Sequence, residues 1–176
     1  MKKQRIFLII FIFLVIIFAV YKYSQSPSVQ HLDKAFITVK APLMNRSVLN
    51  ENAAKENAKN NIEEVIFYHT SSGGIEYVVT FSKNKEEINF NRAINSIKKT
   101  FQDYNFQFTK TDTKSGVYIE GTFNKNGTVY GVKDLMIKNK NFFWQILTIY
   151  PNSKKNADKA DKFIKSAMID DKKIRN

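Results

Sequence analysis

The stretch "IEEVIFYHTSSGGIEYVVTFS", Ile62 to Ser82, decides the fold. Two runs rich in β-branched and aromatic residues, Ile62–Thr70 and Gly74–Ser82, flank the tetrad "SSGG". In the second run Ile75, Tyr77, Val79 and Phe81 fall on one face, and Glu76, Val78 and Thr80 on the other, the period of a strand. Gly73 and Gly74 can take the positive φ that a tight turn requires, so the stretch reads as a β-hairpin. The same residues pose a chemical question. His69 and Ser71 stand two apart, a base and a nucleophile without a third orienting group. A hydrolase places its serine on a strand-to-helix elbow such as Gly-x-Ser-x-Gly, and a phosphate loop gains its strength from the helix that follows it. Here a strand follows. The stretch is a turn, and the chain is read as a non-enzyme.

Upstream, "AFITVKAP" alternates Phe36, Thr38 and Lys40 with Ile37, Val39 and Ala41, and Pro42 ends the strand. "NRSVLNEN" (Asn45 to Asn52) reads as a second, short strand, and "AAKENAKNN" as an exposed loop. Downstream, the period changes in "INFNRAINSIKKTFQDY" (Ile88 to Tyr104). Phe90, Ile94, Ile97 and Phe101 recur at four-, three- and four-residue steps, the stripe of an amphipathic helix. Four further strands follow, in "FQFTKTD", "GVYIEGTFNKNG", "TVYGVKDLMIKN" and "NFFWQILTIYP". The last is apolar on both faces, which predicts a central strand covered on both sides, with Trp144 in the core. "SKKNADKADKFIKSAMI" closes the domain as a helix burying Ala157, Ala160, Phe163, Ile164 and Ala167. The order predicts an α+β domain, a mostly antiparallel sheet with two main packing helices.

The N-terminus has a different character. Lys2, Lys3 and Arg5 precede an apolar run from Ile6 to Val20, fifteen residues without a polar side chain. As a helix these would rise roughly 22 Å, and Tyr21, Lys22 and Tyr23 bring the segment near span length, with the tyrosines suited to the interface. A cleaved signal peptide is the competing reading, but small residues are badly placed for cleavage around Ala19 and Ser26. The preferred reading is an uncleaved transmembrane anchor, residues 1–23, with the cations holding the N-terminus in the cytoplasm. Residues 24–34 then form a linker, 35–171 the exported domain and 172–176 a basic tail.

No cysteine is present, which excludes a disulfide framework, a thiolate metal site and a Cys nucleophile. The net charge is +12, of which Lys2, Lys3, Arg5 and Lys22 supply four. The remaining surplus could attract anionic headgroups or nucleic acid. However, the lysines are scattered, no arginine–aromatic stripe occurs, and nucleic-acid binding is not expected. His31 and His69 lack a second ligand at a fixed spacing, so no metal site or cofactor is expected.

Several short motifs carry a resemblance. The chain has Phe36, Val39 and Pro42 in its opening strand, Tyr77 and Val79 after the glycine turn, Trp144, Gln145 and Leu147 late, then Phe163, Ile164 and Ser166. In this it resembles a group of bacterial exported proteins similar in fold to the PsbP/Mog1/DcrB type of α/β/α sandwich. It departs from that pattern in a Phe36–Val39 spacing one residue too long, in Ala167-Met168 where Phe is usual, and in the lack of a Gly-x-Pro-Gly turn near Gly116. The resemblance implies a binding or assembly module and supplies no catalytic residue.

The expected location is therefore the bacterial inner membrane, single-pass, with the domain periplasmic. The expected partners are membrane lipid, through Ile6 to Val20 with Tyr21, Lys22 and Tyr23, and an envelope protein. Alternatives are a carrier of a small apolar or anionic ligand or lipid, and a periplasmic subunit of a secretion machine. The second is weakened because that subunit's fold opens with helices. Candidate interaction residues are the turn Ser71, Ser72, Gly73 and Gly74, and the basic positions Lys138 and Lys140.

Overall fold

The computed structural model describes residues 21–22, 24–47 and 61–170. Its strands are β1 (Ser28–Leu32), β2 (Ile37–Ala41), β3 (Asn45–Ser47), β4 (Ile62–Ser72) and β5 (Ile75–Asn84). Helix α1 (Phe90–Thr100) precedes β6 (Gln107–Asp112), β7 (Gly116–Lys125), β8 (Thr128–Asn139) and β9 (Phe142–Pro151). Helix α2 (Lys154–Lys165) and a short β10 (Met168–Ile169) complete it. Seven strands make one sheet in the order β3-β4-β5-β9-β8-β7-β6, and β1-β2-β10 make a second. Every pairing among the described residues is antiparallel. The domain is α+β, with two helices against antiparallel sheets.

The two-residue loop Gly73-Gly74 has φ of 59° and 76°, the left-handed pair that matches a tight hairpin to strand twist. From it the registers propagate. β5 pairs with β9, so Phe81 stands opposite Trp144 and Val79 opposite Ile146. The apolar faces of β4, β5 and β9 therefore coincide, and the small sheet and α2 cover them: Ile37, Val39, Ala160 and Phe163 join Ile66, Tyr77 and Trp144 in one core. On the opposite face, Ile94 and Ile97 of α1 and Phe101 just after it pack on Val117, Ile119, Phe123, Val132 and Met136. β9, the middle strand, lies in both cores, which is why it carries apolar residues at consecutive positions.

The Trp144 indole is fully buried, donates its Nε1–H to the Ala35 carbonyl at 2.6 Å, and is walled by Phe81 and Phe142. Three glycines are demanded by close approach, the tightest being Gly116, whose Cβ would lie 1.8 Å from the Met136 carbonyl oxygen. A Cβ on Gly131 would lie 2.4 Å from the Tyr150 ring, and one on Gly121 2.7 Å from Cβ of Phe108.

Several boundaries differ from those expected from sequence. The linker expected over 24–34 contains β1, which pairs with β2 from Ser28↔Ala41 to Leu32↔Ile37. Phe36 lies outside its expected strand, at φ 51°, in the left-handed turn that joins the two. Its N–H bonds the Asp33 carbonyl, and its ring meets Phe81 edge-on at 5.6 Å. These contacts hold a conformation that a bulky residue otherwise avoids. The last helix stops at Lys165, and Met168–Ile169 turns back to add a strand beside β2. The first helix is shorter than Ile88 to Tyr104, with Gln102–Tyr104 a separate 3-10 turn. The expected anchor (Ile6, Val20 and Tyr23), the polar loop after Ser47 and the basic tail lie outside the described residues. Among the described residues no helix is long and apolar enough to cross a membrane.

Candidate binding groove

The predicted turn marks one end of the sheet. Ser72 Oγ donates to the Gln25 carbonyl at 3.2 Å, and the Ser24 carbonyl accepts the Leu43 N–H, so the segment entering the domain lies against the β4–β5 hairpin. A Cβ on Gly73 would sit 3.9 Å from Lys159 Nζ, and one on Gly74 3.6 Å from Pro151 Cγ, which places the turn beside the start of α2.

Next to this turn is a groove of about 570 Å³ lined by Pro27, Lys40, Tyr77, Lys159, Lys162, Phe163, Lys165 and Ser166. Its floor is apolar. Tyr77 and Phe163 are buried and meet edge to face at 5.2 Å. Burial also pushes the Tyr77 phenol above its ordinary value. Its rim is cationic: three lysines come from one face of α2, at positions 159, 162 and 165, and Lys40 comes from β2. The Lys40 N–H donates to Ser166 Oγ at 2.7 Å, and that hydroxyl donates to the Phe163 carbonyl at 2.7 Å. Strand and helix end are thereby stitched together and fix the spacing of the rim. None of these four lysines is ion-paired to another described residue, whereas Lys83, Lys110, Lys133 and Lys138 are.

Lys133 shows the contrast. It is almost fully buried on β8 beneath α2, paired with Asp161 and with Glu120 at 3.1 Å. Burial alone would lower its pKa, but the hydrogen bonds it donates to Asp161 and Glu120 outweigh that and raise it. Neighbouring Tyr118 is pushed up to about 12, chiefly by burial. This cluster is closed on itself and ties α2 to the sheet.

The other predicted residues do not join the groove. Lys138 and Lys140 are at the opposite end of the sheet, where Asn139 pairs with Phe142. Lys138 is occupied by Glu87 at 2.5 Å and lies 5.2 Å over the Phe90 ring. Lys140 takes φ 54° in the β8–β9 turn. Ser71 and His69 share one face of β4, but His69 Nε2 is held by Glu76 at 2.7 Å, an exposed cross-strand pair. His31 bonds Thr38 Oγ1 within the small sheet at 3.1 Å. Among the described residues no three His, Asp or Glu side chains gather in a metal-binding arrangement.

The rim lysines are the residues that sequence reading missed. Their signal is there: three-residue steps from Lys159 to Lys165 put them on one helix face, beside the apolar stripe. A second missed residue is Asp134. It is fully buried on the α1 face of β8, with Oδ2 accepting from Gln145 Nε2 at 2.7 Å and Oδ1 without a partner among the described residues. Burial raises its pKa to about 7, opposed in part by the Gln145 hydrogen bond.

No protein-family model matches the chain, and no curated protein matches it. Among solved structures it is similar to a crystal structure from Bacteroides thetaiotaomicron, with a TM-score of 0.46 and 12% identity. The match covers 82% of this chain and 48% of that one, so the chain spans about half the length of that structure.

Proposed function

We propose that the protein is a non-catalytic binding or assembly module, tethered to the bacterial inner membrane by its N-terminal segment with the α+β domain on the periplasmic side. The observation that carries this reading is the uninterrupted apolar run from Ile6 to Val20, with Lys2, Lys3 and Arg5 before it. Such a run is too apolar for a surface helix, and its cations set an N-in orientation. The domain that follows buries Trp144 fully among core side chains, which favours recognition on its outside over a ligand held around that residue. In this reading the fold belongs with the PsbP-like sandwiches of exported binding proteins. Its partners are membrane lipid and an envelope protein.

One observation favours a second reading, a carrier of an anionic amphiphile. The lysine-rimmed groove over Tyr77 and Phe163 offers charge and apolar surface together. Cross-linking in intact cells, followed by extraction from membranes and mass identification, separates the two. A reproducible envelope protein partner is the expected result. Recovery of the chain alone, at full-length mass, sinks the obligate-partner reading and leaves the carrier.

A further inference from the structure

We propose that the groove rimmed by Lys40, Lys159, Lys162 and Lys165 is the membrane-facing surface of the domain, docking on the phosphate headgroups of anionic lipids in the bilayer that holds its N-terminal segment. This rests on the tethered reading above and adds an orientation to it.

Three independent features meet at this corner. The first is where the chain enters. Pro27 is itself a wall of the groove, and only seven residue steps separate it from Val20, the end of the apolar run. That distance is at most about 25 Å if extended and about 10 Å at helical rise. Its described residues are not extended: Ser24 Oγ donates to the Tyr21 carbonyl at 2.7 Å and Ser26 Oγ to the Lys22 carbonyl at 2.9 Å. It is also fastened to the domain, through Leu43 N–H to the Ser24 carbonyl and Ser72 Oγ to the Gln25 carbonyl. A short, fastened connection restricts how far this face can turn from the bilayer. The second feature is charge. The four rim lysines are unpaired among the described residues, and Lys22 adds another cation in the entering segment. Lysines within a Debye length of about 8 Å from an anionic surface each add attraction, whereas paired ones contribute little. The third is exposed apolar surface. Leu43 is 55% exposed and Tyr21 62%, and both flank the entering segment. An aliphatic and a tyrosine on the segment that leads to the lysine rim supply the composition of an interfacial contact, with the apolar groups at headgroup depth and the ammonium groups on phosphate.

The chain has no cysteine, so one introduced thiol gives an unambiguous probe. The full chain would be placed in lipid nanodiscs carrying a headgroup quencher, with a fluorophore on Leu43→Cys or, as a distant reference, on exposed Asn95→Cys of α1. With about 30% phosphatidylglycerol in phosphatidylcholine, quenching at Leu43→Cys should exceed that at Asn95→Cys by roughly threefold. The exposed triple variant Lys159→Glu, Lys162→Glu, Lys165→Glu should abolish the excess. A charge-matched control, Lys85→Glu, Lys99→Glu, Lys114→Glu, should retain it. Equal quenching at both positions, or an excess indifferent to the α2 lysines, overturns the docking surface. Failure of the tether is separately visible: the chain would be found in cells shortened at its N-terminus and outside the membrane fraction.

Discussion

Asp134 is a carboxylate set among Val132, Met136 and Ile119 on a face that α1 covers, with one oxygen unpartnered among the described residues. Its charged form is disfavoured by burial, so its pKa rises from 3.8 to about 7. The sign follows from linkage. Between those values the folded chain holds a proton that the unfolded chain has released, so this group makes stability fall as pH rises from about 4 to about 7, levelling above that. Asp134→Asn keeps an acceptor for Gln145 and removes the ionisation. It should raise stability at pH 8, by on the order of 1–4 kcal/mol, and leave it little changed at pH 4. Urea unfolding midpoints of both proteins across pH 4–8 check this; parallel curves would mean that the carboxylate does not titrate with folding. A steric prediction belongs to the same scale. The Tyr150 ring occupies the space a side chain at Gly131 would need, 2.4 Å from where its Cβ would stand. Gly131→Ala should therefore destabilise by about 1–3 kcal/mol, read as a lowered urea midpoint.

Among the elements, α2 matters most, because it closes one core with Ala160, Phe163 and Ile164 while presenting the groove lysines outward. Its first turn is capped by Ser153, whose Oγ accepts the Asn156 N–H at 3.3 Å. Ser153→Ala should cost about 1 kcal/mol, seen as faster amide exchange confined to the first turn and a small drop in midpoint. The hairpin, α1 and the β6–β9 meander were legible because period and turn chemistry agree there. Gly73-Gly74 supplies the turn, and Phe90, Ile94, Ile97 and Phe101 the helical stripe. β1 was not legible. "SVQHL" has weak alternation and follows a proline, and its strand exists because β2 offers a partner edge. The same holds for β10, two residues long, whose geometry is set by Thr38 and Ile37 across from it. Long-range pairing decides both.

For the whole molecule, the apolar pattern of β9 already implied a sheet covered on both faces, and the two cores around it match that reading. The binding surface was less legible, since residues far apart in sequence build it: Pro27, Lys40, Tyr77 and the α2 lysines. Lys138 looked equivalent in sequence, yet Glu87 neutralises it at the other end of the sheet. Its ion pair separates Lys138 from the groove lysines, and that needs the fold. Everything proposed for the groove depends on a domain held outside the cell membrane by its own N-terminal segment. That arrangement is tested by labelling Asn95→Cys in intact spheroplasts with a membrane-impermeant maleimide, then taking the intact mass of the membrane-fraction protein. External labelling on a full-length chain is expected. Labelling only after lysis, or a shortened chain in the soluble fraction, would contradict it.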